Sequence, residues 1–234
     1  MKKEVTVDMT KGRIAPQILK FAMPVLLGLI FQRIYNFADS WIVGHFLGDN
    51  ALAAVSVAGV GMYLVFSVII GLTTGVTVVM SQYYGAKQED KVVETFFSSI
   101  YIALAMTVIV TVAGVLLSRP LLILLQTPDE VLNEAVWYLQ LICAGSVGTM
   151  LYNWISSVLR SLGNSVVPLI FLGISSALNV VLDILLVAVI PLGVGGAAIA
   201  TVLAQLISGG ACLVYAWKIL PMLRFQRSKM KLNR

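Results

Sequence analysis

From Thr95 to Ser118 the chain runs through TFFSSIYIALAMTVIVTVAGVLLS without a single charged side chain. About 18 or more apolar residues in a row suffice to cross the roughly 30 Å hydrocarbon core of a bilayer as a helix. Inside that core every backbone amide and carbonyl must be paired within the helix itself, which leaves few alternatives to helix. Windows of this kind recur along the 234 residues, 59% of which are hydrophobic. Only 12% are charged, against about a quarter in a soluble domain. The mean hydropathy is +0.94. The sequence therefore predicts an all-α, polytopic integral membrane protein. Its first window, near 17–43, is too long for a signal-peptide core, and no small-residue cleavage pattern follows it, so it is read as retained.

Six transmembrane helices are predicted, near 17–43, 51–83, 92–118, 130–157, 165–190 and 194–218, with 1–16 an amino-terminal segment and 219–234 a basic tail. The breaks are GHFLGDN, YGAKQEDK, SRP to QTPDE, RSLGNS and IPLGVGG. Thr127-Pro128-Asp129-Glu130 reads as a helix start, with a Thr cap, Pro at the first position and Glu three residues after the cap. Six crossings put both termini on one side. Lys2, Lys3, Lys11, Arg13, Lys20, Lys87, Lys91, Arg160, Lys218, Arg224, Arg227, Lys229, Lys231 and Arg234 fall there, 14 of 16 basic residues. Arg119 falls opposite and Arg33 within the first helix. The positive-inside rule makes the basic side cytoplasmic, and Trp41, Trp137, Trp154 and Trp217 fall near helix ends as an aromatic belt would. The formal charge of +5 thus reports orientation and not a nucleic-acid partner. Cys143 and Cys212 lie in apolar segments without metal-ligand neighbours and read as small hydrophobes.

Ionisable groups at bilayer depth cost about 2.5–3.5 kcal/mol on insertion scales, and they suggest function by default. Arg33, Asp39 and Asp183 are the three that stand there. Gln32, Asn36 and Asp39 follow helical spacing, with Tyr35 one turn below Asp39; Asn179 and Asp183 are an i, i+4 pair, as are Thr201 and Gln205. At about 1.5 Å per residue, Asp39 lies roughly 6 Å from its outer helix end, Tyr138 roughly 8 Å, Thr201 roughly 9 Å and Asp183 roughly 10 Å. Asn36, Asn179 and Gln205 form a second layer one turn deeper. Groups from several helices thus reach one depth, and burial cost drives them toward a shared interior. All are oxygen donors, the ligands of hard cations. Two neighbouring carboxylates also discourage simultaneous ionisation, so one could carry a proton. Such a cluster suits Na⁺ or H⁺; interhelical hydrogen bonding is the alternative use of the same groups.

Pro24 and Gly28 weaken backbone bonding in the first helix and predict a kink, either static or used in bending. Gly71 and Gly75, spaced as GxxxG, and the small residues of GVGGAAIA are expected to permit close helix contact. No GxxxxGK[ST], HExxH or GxSxG motif is present, and the single histidine, His45, has no evident metal partner. Nothing suggests an enzyme or a resident cofactor, so any pumping would draw on an ion gradient.

The segments TKGRI, ILKFAMPVLLG, QRIYNFADSWIVGHFLG, QYYGAKQED, SSVLRSLGNSVVPL, SALNVVLDILLV and GVGGAAIATVLAQ, in this order, resemble the first half of MATE (multidrug and toxic compound extrusion) transporters of the DinF/NorM-like bacterial type. The resemblance implies one six-helix lobe of a twelve-helix, two-lobed exporter of the bacterial plasma membrane. Such a protein exchanges Na⁺ or H⁺ for organic cations or amphipathic drugs by rocking of its lobes. It implies a coupling-cation site at Asp39, Asn179, Asp183 and Thr201, a cavity that includes Gln32, Tyr35, Asn36 and Tyr138, and a bending role for Pro24. It implies as well a second lobe, a carboxy-terminal half or another copy, as partner, with lipid around the bundle. Position 33 departs from the family in being Arg, a fixed charge near the cavity. Two other functions are weighed: a lipid-linked precursor flippase, which would favour several basic residues at depth where only Arg33 is found, and a non-transporting membrane scaffold.

Overall fold

In a computed structural model, residues 13–220 are described. Lys2, Lys3, Lys11 and the basic residues from Arg224 onward lie outside them. The chain folds as α1 (Ile14–Leu47), α2 (Asp49–Gly85), α3 (Glu89–Leu124), α4 (Asp129–Ala144), α5 (Ser146–Ser161), α6 (Val166–Asp183) with a π-helical extension (Ile184–Val189), and α7 (Val194–Ile219). Five helices are long and apolar enough to cross a membrane, and α4 with α5 makes a sixth, broken span bent by 50°. The all-helical bundle expected from the uncharged runs is what forms.

Three local features differ from the sequence expectation. The predicted helix over 130–157 is two helices, interrupted at Gly145-Ser146. Gly/Ser pairs are among the recurrent causes of sharp kinks. Here the break also lets α5 approach α7: a Cβ on Gly145 would run into the Val202 side chain, with Val202 Cβ 2.9 Å away. The Arg119-Pro120 pair does not end the third helix. Pro120 lies inside α3, and Leu122, fully buried two residues later, anchors the extra turn. Thr127 is not the cap of α4. Its hydroxyl donates to the Leu122 carbonyl at 2.7 Å and so closes α3, while Pro128 occupies the cap position without a side-chain hydrogen bond.

Packing is closest between α5 and α7. A Cβ on Gly148 would lie 3.0 Å from the Leu206 backbone nitrogen, and one on Gly209 3.0 Å from that of Tyr152. By contrast Gly71 and Gly75 are exposed and face open space. The expected GxxxG contact is therefore not made among the described residues; small residues mediate contact at the α5–α7 seam instead. In GVGGAAIA the expectation is met, because Ala197, Ala198 and Ala200 are fully buried and Gly196 abuts the backbone of Leu186.

The core runs through Ile69 and Met80 of α2, Leu139 and Ile142 of α4 and Ile155 and Leu159 of α5. Among its polar members, Trp154 Nε1 donates to Ser99 Oγ at 2.9 Å, and Thr111 and Ser146 share a 2.7 Å hydrogen bond across the α3–α5 contact. Helix α1 is the exception to this burial. It leans on α2 and α6, and of its described side chains only those of Asp39, Ile42 and Val43, with Gly28, are buried. Gly48 (φ +88°) alone separates α1 from α2, a backbone state that a side chain would strain, and it turns the chain within one residue.

Candidate functional site

Asp39, near the carboxy-terminal end of α1, is buried against α6, where Asn179 and Asp183 close the other wall. Asp183 is fully buried, Asn179 nearly so, and Asp39 only 9% exposed. The carboxyl groups of Asp39 and Asp183 stand within reach of one another. Only a protonated carboxyl can donate to the other, and the oxygens here are short of donors. Asp39 Oδ1, Asn179 Oδ1 and both carboxylate oxygens of Asp183 are buried without a hydrogen-bond partner. Buried side-chain oxygens are normally paired, since an unsatisfied one costs about 1–3 kcal/mol and more if charged. Four such oxygens in one place form an acceptor cluster suited to a positive guest.

The remaining groups frame this cluster. Asn179 Nδ2 donates to Thr201 Oγ1 of α7 at 3.3 Å, while its amide oxygen is buried without a partner. The Tyr138 hydroxyl of α4, 4% exposed as a residue, adjoins Thr201, and Tyr35 closes the approach from α1 while bonded to Gln32. Asp39, Asn179, Asp183, Thr201, Tyr138 and Tyr35 therefore converge from α1, α4, α6 and α7. Among the described residues no group of three or more His, Cys, Asp or Glu side chains forms a metal site of the transition-metal kind. Two carboxylates, a carbonyl oxygen and a hydroxyl instead form a small, hard, oxygen-only set, which fits a monovalent cation or a shared proton.

The second layer does not converge. Gln205 accepts a hydrogen bond from Thr149 of α5, next to the break, and Asn36 and Gln32 are exposed on the open side of α1. Only Asn179 of that layer joins the cluster. Pro24 sits within an uninterrupted α1. Sequence reasoning missed the π-helical turn that begins one residue after Asp183 and places Ile190 N on the Leu185 carbonyl at 2.9 Å. Such turns recur at functional sites, but the apolar stretch ILLVAV carries no composition signal for one. The Gly-Ser pair at 145–146 was the signal available for the broken span. A separate apolar groove of about 400 Å³ runs between α3, α5 and α7, with Phe96, Thr107, Trp154 and Trp217 in its wall, and shares no residue with the polar cluster.

Several known proteins share this arrangement of helices. The chain is 36% identical over 199 residues to the probable multidrug resistance protein YpnP of Bacillus subtilis (strain 168), covering 85% of this chain and 44% of that protein. It is 27% identical over 225 residues to the probable multidrug resistance protein NorM of Thermotoga maritima, covering 94% and 47%. The chain thus spans about half the length of the curated relatives it matches. Among solved structures, one described as MATE in the bent conformation superposes with a TM-score of 0.88 at 23% identity, over all of this chain and 52% of that one. A MOP superfamily transporter from Pyrococcus furiosus, described as having a binding pocket of reverse polarity, superposes with a TM-score of 0.87 over 51% of its length. At these identities the likeness is one of fold. The relatives are multidrug resistance proteins and transporters, not enzymes. The MatE family model matches residues 24–185, more than half of the sequence, and this multi-pass membrane chain belongs to the MatE family.

Proposed function

We propose that this lobe carries the coupling-cation site of a secondary active exporter, which exchanges Na⁺ or H⁺ for organic cations or amphipathic drugs by alternating access. The observation behind it is the set of four buried, unpartnered oxygens on Asp39, Asn179 and Asp183. A scaffold that used these groups only to join helices would pair them with donors, as it pairs Trp154 with Ser99. A lipid-precursor flippase would favour several basic groups at depth to hold phosphate, and among the described residues only Arg33 lies there.

A bound monovalent cation supplies the positive charge that the facing carboxylates lack. The chain's own residues do the rest. Asp39 and Asp183 provide opposing carboxylate oxygens from α1 and α6, and Asn179 adds its carbonyl oxygen, its amide nitrogen held by Thr201. Tyr138 and Tyr35 screen the cluster from water. Pro24 gives α1 the weakened backbone that bending would use. Residues 17–218 act as one lobe and need a second six-helix lobe, the expected partner, to form the drug cavity between them. The end of the bundle that carries Arg13, Lys20, Lys87, Lys91, Arg160 and Lys218 faces the cytoplasm of a bacterial plasma membrane.

The test is reconstitution with a carboxy-terminal lobe in proteoliposomes, followed by efflux of a fluorescent organic cation driven by a Na⁺ or a pH jump. Wild type is compared with Asp39→Asn and Asp183→Asn. Loss of driven efflux in both folded variants is expected, and the jump that works names the ion. Undiminished efflux in Asp183→Asn would overturn the coupling role.

A further inference from the structure

Arg33 is a charged side chain at membrane depth that the Asp39–Asp183 cluster does not use. It lies thirteen residues past Lys20 and eight before Trp41, about 20 Å and 12 Å along the axis, so it is far from either interface. Snorkelling serves Arg and Lys near helix ends, not here. Its side chain is exposed, and so are those of Gln32 and Asn36. At 100° per residue the three fall within an arc of about 100° on one side of α1. No hydrogen-bond or ion-pair partner of Arg33 is found among the described residues. The described carboxylates other than Asp39 and Asp183 are Asp49, Glu89, Asp90, Glu94, Asp129, Glu130 and Glu134, all in first turns or near helix ends. Asp39 is turned about 120° from Arg33 around the helix and buried against α6.

An intramembrane cation of this kind must face a watery cavity or an anion. A guanidinium flanked by two carboxamides offers a donor fork of the shape that fits a carboxylate, sulfonate or phosphonate. A standing ion pair to a second lobe is disfavoured, because lobes that rock would break it in every cycle and leave a desolvated charge on each side. A solute that arrives and leaves has no such difficulty. We propose that Arg33, with Asn36 and Gln32, forms an anion-recognition point on the open face of α1, which takes the acidic group of an amphipathic anion or zwitterion. This rests on the transporter reading above and deepens it. The lobe would carry a cation site at Asp39–Asp183 and, on the exposed face of the same helix beside it, a site for substrates of negative charge.

The test uses the purified full chain and two probes that share one fluorophore, N-dansylglycine, a carboxylate, and dansylethylenediamine, a cation, with affinities read by fluorescence titration. Wild type is expected to bind the carboxylate saturably. Arg33→Gln should weaken that binding about tenfold or more, the usual loss for one charge-assisted hydrogen-bonded pair. It should leave affinity for the cation unchanged or improved. Arg33→Lys, which keeps the charge without the fork, should fall between. Three results would overturn the proposal: no saturable carboxylate binding by wild type, carboxylate affinity unmoved in Arg33→Gln, as a lobe-to-lobe ion pair would give, or equal losses for both probes in both variants, as a purely structural arginine would give. Asp183→Asn serves as a control on the underlying proposal. If cation-driven efflux survives that change, the coupling role fails while the Arg33 titration still stands or falls by itself.

Discussion

Replacing Asp183 by Asn should make the cation-free protein more stable and remove its response to the coupling ion. In the wild type, both oxygens of Asp183 and Asp39 Oδ1 are buried without a donor. The asparagine amide puts an N–H where a repelling oxygen stood, within reach of Asp39. One charge-assisted hydrogen bond contributes about 1.5–3 kcal/mol. For a chain of this length 1 kcal/mol moves the unfolding midpoint by about 2–4 °C, so the cation-free variant should melt roughly 3–12 °C above wild type. On the proposed reading a bound cation or a shared proton takes that place in the wild type. At a concentration about 100 times its dissociation constant, a ligand of the native state adds about 2.7 kcal/mol. Titration with Na⁺ should therefore raise the wild-type midpoint by roughly 5–11 °C, while the variant stays flat.

Thermal unfolding of the detergent-solubilised chain, followed by intrinsic tryptophan fluorescence, reads both quantities. K⁺ at equal ionic strength separates a specific site from screening. If a proton takes the place of Na⁺, the same rise appears on lowering the pH at fixed salt, and Asp183→Asn is again flat. A cation-free Asp183→Asn protein that melts below wild type, or one that keeps the full ion response, would refute the reasoning. So would a wild type that answers to neither Na⁺ nor protons.

Thr201→Val removes the acceptor of Asn179 Nδ2 and frees the amide to turn, so the half-saturating cation concentration should rise about 3–10-fold, with Thr201→Ser near wild type, as read by the same titration. Gly196→Ala sets a Cβ 2.7 Å from the Leu186 carbonyl in the π-helical turn; backbone cannot step aside as a side chain would, and a loss of about 1–3 kcal/mol is expected in thermal unfolding. Trp154→Phe keeps the ring beside Phe96 but drops the 2.9 Å bond to Ser99, which should cost about 1 kcal/mol, or 2–4 °C, without changing cation affinity.

Much of the bundle was legible because the bilayer makes composition decisive. A charge-free run such as Thr95–Ser118 has no other way to pair its backbone. What composition could not convey was rotation about each helix axis. Axial depth put Asn36, Asn179 and Gln205 in one layer, yet in the structure one faces outward, one joins the carboxylates and one bonds to Thr149. Depth follows from counting residues, but azimuth is set by packing, here by the Gly145 break that brings α5 against α7. Gly71 and Gly75 teach the same lesson from the other side. Their spacing was seen correctly, but whether a neighbouring helix lies over them depends on which way α2 is turned. The π-helical turn after Asp183 was illegible for a different reason, since i to i+5 bonding leaves no mark on an apolar sequence.

The uneven packing of α1 bears on how a cation could move this lobe. In lipid, no hydrophobic gain drives α1 onto its neighbours, since acyl chains solvate its leucines as well as protein does. Its seat depends on van der Waals contact through a handful of residues, Gly28, Ile42 and Val43 among them, and on whatever joins Asp39 to Asp183. With neither a cation nor a shared proton, that second link is repulsive. On the proposed reading, binding at the cluster therefore changes the sign of the main polar interaction between α1 and α6. A ligand can shift a conformational equilibrium only by its difference in affinity between the two states, and about 2.7 kcal/mol corresponds to roughly a hundredfold. A helix held by so few buried groups is one that such an amount can reseat. The fully buried residues of α2, α4 and α5 would hold their places under the same push, so the motion belongs to α1.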